Sequence, residues 1–189
     1  MSRVFVTGAS GFVGSRLVGR LAAGGHPVTA LSRRPPRESG GPNVRWIRGD
    51  VTEPESYAAE LAEADCVVHL AARLTARRME EYVLANVKGT ESLLETCAAR
   101  CPGMRRLVVV STVAAMGPRR DGTRLRETDP CKPASAYGAS KLAAERKAQD
   151  FAFRLPVTIL RPAFIYGPGD VRGAAYLDTW LHSSPRNWE

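Results

Sequence analysis

The sequence predicts an α/β domain built on a doubly wound parallel sheet. Three observations predict it. Short apolar runs rich in β-branched residues alternate with helical stretches along the chain. Those runs are almost continuously hydrophobic, as strands covered on both faces are. A glycine-rich turn, Thr7-Gly8-Ala9-Ser10-Gly11-Phe12-Val13-Gly14, follows the first run and opens the first helix. Strands joined through helices pair in parallel by right-handed crossovers.

The elements follow in order. Val4 to Val6 is the first strand, and the helix after the turn runs from about Phe12 to Ala23, closed by Gly24 and Gly25. Val28 to Leu31 is the second strand, and Ser32 to Pro42 is a polar loop rich in proline and glycine. Val44 to Ile47 is the third strand. Glu53-Pro54-Glu55 marks a helix start, with proline in the first turn and carboxylates at the positive end of the dipole. Cys66 to Leu70 is the fourth strand, and one long helix is expected over Glu80 to Arg100. Arg106 to Val110 is the clearest strand, Ala136 to Ala152 a further helix, and Val157 to Leu160 the sixth strand.

Bulk properties bound the function. The 189 residues suit one domain that can bury a core without disulfides or metal. A net charge of +8 raises nucleic acid as a partner. The basic residues are scattered, though, at Arg33 and Arg34, Arg73, Arg77 and Arg78, Arg105 and Arg106, and Arg119 and Arg120, with few aromatics among them for base stacking. A solvated surface is preferred and no nucleic-acid partner is expected. Cys97 and Cys101 share a helix face, but no second pair completes a zinc site beside Cys66 and Cys131, and His26, His69 and His182 repeat no ligand spacing. No metal is expected, and reduced thiols suit a cytoplasmic protein. No signal peptide is visible, and no apolar stretch approaches the roughly 20 residues that span a bilayer.

The glycine turn points to a dinucleotide. Its spacing is GxxGxxG. Gly8 permits the tight turn, Gly11 lets backbone approach a pyrophosphate, and Gly14 lets the helix pack close to the sheet. The helix start then offers unpaired N–H groups to phosphate. A structural strand-to-helix turn is the competing reading, but the context is the βαβ unit that a dinucleotide site requires. The fold class is therefore a Rossmann-type doubly wound parallel sheet of strand order 3-2-1-4-5-6.

An NAD site would carry an acidic residue at the end of the second strand, about 20 residues past the turn, to hold the ribose hydroxyls. Here Ser32 stands in that slot, followed by Arg33 and Arg34. Guanidinium groups are the donors a 2′-phosphate wants, so NADP(H) is favoured over NAD(H). A solvated basic loop is the alternative. Asp50 could accept from an adenine amino group or cap the next helix.

Tyr137-Gly138-Ala139-Ser140-Lys141 places a phenol and an ammonium one helical turn apart. A free phenol, with a pKa near about 10, is a poor base at neutral pH. A neighbouring ammonium is expected to lower that value, so that Tyr137 exchanges a proton with a substrate oxygen while a hydride moves. Lys141 could also hold the nicotinamide ribose. Alone, this pair usually decorates a surface; the glycine turn upstream changes that. Ser111 and Thr112 close the fifth strand, at the carboxyl edge where parallel sheets bind ligands. There a hydroxyl could orient a substrate carbonyl or serve a turn.

Taken in order, TGASGFVG, GDV, HLAA, NVKGT, VVVSTVAAMG, YGASK and LRPAFIYGPGD resemble the extended short-chain dehydrogenase/reductases, the NAD(P)-dependent epimerase/dehydratase family. The resemblance runs to about Arg172. It implies that Gly8, Gly11 and Gly14, with Ser10, Phe12 and Val13, cradle the pyrophosphate. Asp50 and Val51 would flank the adenine. Leu70, Ala71 and Ala72 would line the cofactor cleft, with Asn86, Ser111 and Pro162 close to the cofactor. Thr112, Tyr137 and Lys141 would be the catalytic set, Tyr137 as acid/base, with Tyr137 and Lys141 also touching the cofactor. Met116 stands where many relatives have tyrosine.

The domain reading is residues 1–172 for the NAD(P)-binding domain with its catalytic residues. The tail, 173–189, is the truncated start of a substrate lobe, and its Trp180, His182 and Trp188 match no family continuation. The implied function is movement of a hydride between nicotinamide and a hydroxyl-bearing carbon of a sugar nucleotide or other small alcohol or ketone. A truncated, inactive NAD(P)-binding module is the alternative. Relatives dimerise through helices equivalent to those near Glu80 to Arg100 and Tyr137 to Ala152, so a homodimer is implied.

Overall fold

A computed structural model describes residues 1–37, 40–119 and 123–170, and the sequence reading of 173–189 lies outside them. Six parallel strands form one sheet in the order β3-β2-β1-β4-β5-β6: β1 Val4–Thr7, β2 Val28–Ser32, β3 Val44–Arg48, β4 Cys66–His69, β5 Arg106–Val110 and β6 Val157–Leu160. The order is the one the sequence predicts. The register is regular: Val4 lies opposite Val28 on one side and Cys66 on the other.

Side chains alternate between two cores, as the strand period requires. Val4, Val6, Val28, Ala30 and Val44 point to the side of α1 (Phe12–Ala23), where they meet Val18 and Leu17. Phe5, Leu31, Ile47, Val67, Leu107 and Val109 point to the other side. There they meet α2 (Ala58–Leu61), α4 (Gly89–Arg100) and α5 (Ala136–Asp150) through Leu61, Leu93, Leu94, Cys97 and Ala148.

Handedness explains this division. The chain moves one way from β1 to β2 and the opposite way from β4 through β5 to β6. Right-handed crossovers therefore place α1 on one face and both α4 and α5 on the other. Among the described residues, the α1 side of β4 to β6 is left thinly covered. Val13, Leu17, Val68, Leu70, Val108, Val110 and Leu160 line a cavity of about 590 Å³ there.

Two helical expectations need correction. The helix begun at Glu53-Pro54-Glu55 amounts to a 3₁₀ turn, Pro54–Ser56, and the single turn of α2, between which Tyr57 is fully buried and donates to the Val51 carbonyl at 3.1 Å. The long helix over Glu80 to Arg100 is interrupted. After α3 (Met79–Tyr82), a π-helical turn spans Val83–Lys88 before α4 begins. Such a turn inserts an extra residue into the helix and redirects side chains, often at a site. Here it turns Asn86 inward, where it is buried. In addition, β4 ends at His69, one residue before the end read from the sequence, although the Leu70 N–H still continues the parallel ladder by donating to the Thr7 carbonyl at 3.2 Å.

Among the described residues, no helix is long and apolar enough to cross a membrane, and no cluster of histidine, cysteine, aspartate and glutamate could hold a metal ion.

Candidate cofactor and catalytic site

The carboxyl edge of the sheet gathers the residues that the sequence singled out. Gly8 to Gly14 follow β1, Arg33 and Arg34 follow β2, and Asp50 and Val51 lie just beyond β3. Leu70 to Ala72 follow β4, Ser111 and Thr112 follow β5, and Pro162 follows β6.

The glycine turn is sterically fixed by its neighbours. Gly8 has φ +66°, a region open to glycine, and a Cβ there would lie 2.6 Å from the Ala71 nitrogen. A Cβ on Gly14 would collide with the Gly8 carbonyl oxygen. Both obstacles are backbone and cannot rotate away. Gly14→Ala is expected to destabilise the protein by about 2 kcal/mol, read from urea unfolding, and to weaken dinucleotide binding by displacing the turn. An unchanged unfolding midpoint would contradict the steric argument. At Gly11 the nearest atom to an added Cβ is the Gly8 oxygen at 3.2 Å, so the protein does not fill that side. Gly11 is the N-cap of α1 and contributes no side-chain cap, leaving the first-turn N–H groups facing the turn.

At the end of β2, Ser32 is buried and its hydroxyl bonds Ser10 Oγ at 2.8 Å and accepts from the Arg34 N–H at 3.1 Å. Arg33 and Arg34 are exposed. Arg33 approaches Asp50 Oδ2 at 3.9 Å, with 77% of its side chain in solvent. Asp50 Oδ1 accepts from the Thr52 N–H at 3.0 Å and the Thr52 hydroxyl at 2.9 Å. One carboxylate oxygen is thus spent on the local turn. Val51 is buried beneath it.

The catalytic candidates sit on α5 and beside it. Ser135 caps α5, accepting from the Gly138 N–H at 3.0 Å. The first turn of α5 packs directly on the 3₁₀ turn Val113–Ala115, close enough that a Cβ on Gly138 would overlap the Ala114 carbonyl. That packing brings Tyr137 beside the segment after β5. Thr112 Oγ1 accepts from the Ala114 N–H at 3.2 Å, which leaves its hydroxyl proton to donate elsewhere. Ser111 Oγ is buried and has no hydrogen-bond partner. The Pro162 carbonyl fixes the same segment by accepting from the Val113 N–H at 3.0 Å.

Electrostatics correct one expectation. The Tyr137 phenol is not lowered: burial, and then its neighbour Tyr82, hold its pKa above the ordinary phenol value. The two rings lie 6.4 Å apart. Lys141 is only 1% exposed, and burial brings its pKa down to about 8 against the opposing pull of Glu145. Burial is therefore the leading influence on Tyr137.

Asn86 braces the cleft with its side chain fully engaged. Its Oδ1 accepts from the Arg73 N–H at 2.7 Å, and its Nδ2 donates to the Arg73 carbonyl at 3.1 Å and to Ser140 Oγ at 2.9 Å. The sequence reading of Asn86 as a cofactor neighbour did not include this role. The sequence reading assigns no bracing role to Thr7, His69, Thr90 or Ser140. His69 was weighed only as a metal ligand, although a histidine ending a buried strand must find partners for both ring nitrogens.

A cradle shaped by glycines, uncapped N–H groups and an orphaned buried hydroxyl fit a dinucleotide at the edge of a parallel sheet. The fold and site therefore define a Rossmann-type nucleotide-binding protein with a tyrosine–lysine helix. The NAD dependent epimerase/dehydratase family model matches residues 4–181, and the chain belongs to that family.

Relatives include the 2-alkyl-3-oxoalkanoate reductase of Shewanella oneidensis, 30% identical over 181 residues, covering 90% of this chain and 46% of the relative. The UDP-glucose 4-epimerase of Mycolicibacterium smegmatis is 33% identical, covering 88% of this chain and 57% of the relative. Among solved structures, MoeE5 in complex with UDP-glucuronic acid and NAD is 38% identical with a TM-score of 0.78, covering 88% of this chain and 56% of that one. The chain spans about half the length of the curated relatives it matches.

Proposed function

We propose that this chain carries the cofactor-binding and catalytic half of an NAD(P)(H)-dependent oxidoreductase, epimerase or dehydratase, with residues 1–172 as that unit. Its substrate class is a sugar nucleotide or other small alcohol or ketone. The observation that carries the proposal is the seating of α5 on the turn after β5. That seating brings the Tyr137 helix to the edge where the glycine cradle and Thr112 stand. Bound NAD(P)(H) supplies or takes up the hydride. Tyr137 exchanges the proton at the substrate oxygen. Thr112 donates a hydrogen bond to that oxygen, and the buried Lys141 ammonium stabilises negative charge developing there.

NADP(H) is the proposed cofactor form. No carboxylate stands at the end of β2, and two exposed arginines follow it. Solved relatives in complex with NAD make this a question for titration. NADPH is expected to bind more tightly than NADH, read by nicotinamide fluorescence. Arg33→Ala with Arg34→Ala should weaken NADPH about tenfold while sparing NADH. Equal loss for both cofactors would remove the 2′-phosphate assignment.

A panel of alcohols, ketones and sugar nucleotides tests the activity itself. Binding without any turnover would favour a cofactor-binding module. A cytoplasmic location and a homodimer through the helices near Glu80 to Arg100 and Tyr137 to Ala152 belong to the same proposal.

A further inference from the structure

A buried polar chain runs from the glycine turn to the catalytic helix, and His69 is its centre. The imidazole is 0% exposed. Nδ1 lies 2.7 Å from Thr7 Oγ1, and Nε2 lies 2.9 Å from Thr90 Oγ1.

Counting protons orders this chain. Thr90 has one hydroxyl proton and gives it to the Asn86 carbonyl at 2.6 Å. Towards His69, Thr90 Oγ1 can then only accept, so Nε2 carries the ring proton. Nδ1 is left as an acceptor, and Thr7 Oγ1 donates to it. Thr7 Oγ1 in turn accepts from the Ala71 N–H at 3.2 Å. The direction is therefore fixed end to end: Ala71 to Thr7 to His69, and His69 to Thr90 to the Asn86 carbonyl. From Asn86 the side chain continues to Ser140, whose hydroxyl donates to the Tyr137 carbonyl at 2.7 Å.

We propose that His69 is a positioning residue: as the Nε2-protonated imidazole it fixes Thr90 and the π-turn at Asn86, and through them sets α5, with Tyr137 and Lys141, against the turn that follows β1. The assignment rests on reading Tyr137 as the acid/base. His69 touches no reacting atom and acts only through these neighbours. Its charge state agrees with the wiring. Burial, reinforced by the Lys141 cation on α5, brings its pKa down to about 3. A second ring proton would take away the acceptor that Thr7 needs and set two cations together in the core. The hydroxyls of Thr7 and Thr90, which also face the ring, cannot balance that charge.

Nitrogen-15 NMR of the histidine side chains in the unmodified protein tests the wiring directly. His69 is expected to show a protonated Nε2 and a bare Nδ1, unchanged from pH 8 down to pH 5. The opposite tautomer, or titration within that range, overturns the proposal whatever the variants do.

His69→Gln and His69→Asn test the positioning. A Gln amide reaches the Nε2 location and can still donate to Thr90, whereas an Asn amide cannot. The readout is the Tyr137 phenolate titration, followed by ultraviolet difference absorption against Tyr137→Phe. In His69→Asn the Tyr137 titration should fall toward the ordinary phenol value, because a loosened first turn of α5 admits water. In His69→Gln it should stay where it is. Equal titrations in the two variants would make His69 purely structural and overturn the proposal.

Should His69→Asn not fold, Thr90→Val against Thr90→Ser replaces it with the same readout. The valine variant is expected to lower the titration and the serine variant to preserve it, and equal behaviour again overturns the proposal. Should Tyr137→Phe keep full turnover, the acid/base reading fails, and the NMR result stands or falls separately.

Discussion

Tyr137→Phe is expected to lower kcat by about 100- to 10,000-fold, the range spanned by a lost general acid or base. NADPH affinity should change little, since the substitution leaves the glycine turn and the arginines untouched. Stability should move by no more than about 0.5 kcal/mol. Among the described residues the Tyr137 hydroxyl makes no hydrogen bond, so its removal strands no partner, and phenylalanine keeps the ring against Tyr82. An inactive, stable variant with intact cofactor binding separates chemistry from folding.

The pH dependence sharpens the same experiment. Burial holds Tyr137 as the protonated phenol well past neutrality. In that state it is ready to donate, which suits carbonyl reduction over alcohol oxidation. The kcat/KM profile for reduction reports the free enzyme. It should therefore fall above about pH 8, where Lys141 loses its proton, and show no limb from Tyr137 below pH 10. A limb near pH 6 that vanishes in Tyr137→Phe would mean that this phenol is lowered after all.

What the sequence made legible was what lies close together along the chain. The parallel sheet follows from alternating apolar runs joined through helices, its strand order from the fold class that the glycine turn indicates, and the turn itself from three glycines within seven residues. Tyr137 and Lys141 were legible because one helical turn joins them. The polar brace was not. Its members come from four separated places, Thr7, His69, the helical turn holding Asn86 and Thr90, and Ser140, and only folding joins Asn86 to Ser140 or Thr7 to His69. The π-turn that presents Asn86 was hidden as well, since helical periodicity over Met79 to Arg100 carries no mark for one inserted residue. The lowering expected at Tyr137 failed for a related reason. Spacing along α5 places the two residues one turn apart but says nothing of the burial of the phenol, which raises its pKa.

Lys141→Met should abolish turnover and at the same time stabilise the protein. The lysine is buried, and among the described residues no carboxylate lies within ion-pair distance of it. Glu145, one turn along α5, directs its carboxylate to Arg161, with nitrogen–oxygen distances of 2.6, 3.0 and 3.1 Å. A pKa brought from 10.5 to about 8 means that the folded state pays to keep the ammonium charged. Methionine retains most of the stem and removes the charge without orphaning Glu145. The expected gain is about 1 to 3 kcal/mol at pH 7.

The sign with pH follows from proton binding. Between about pH 8 and 10.5 the unfolded chain still holds a proton that the folded chain has released, so wild-type stability rises across that window relative to the variant. Urea unfolding at pH 7 and pH 10 should therefore show the gap between the two proteins closing at the higher pH. A variant less stable than wild type at pH 7 would mean that the ammonium is held by favourable contacts. Such contacts would remove the case for a charge kept in the core at the expense of stability and in the service of the reaction.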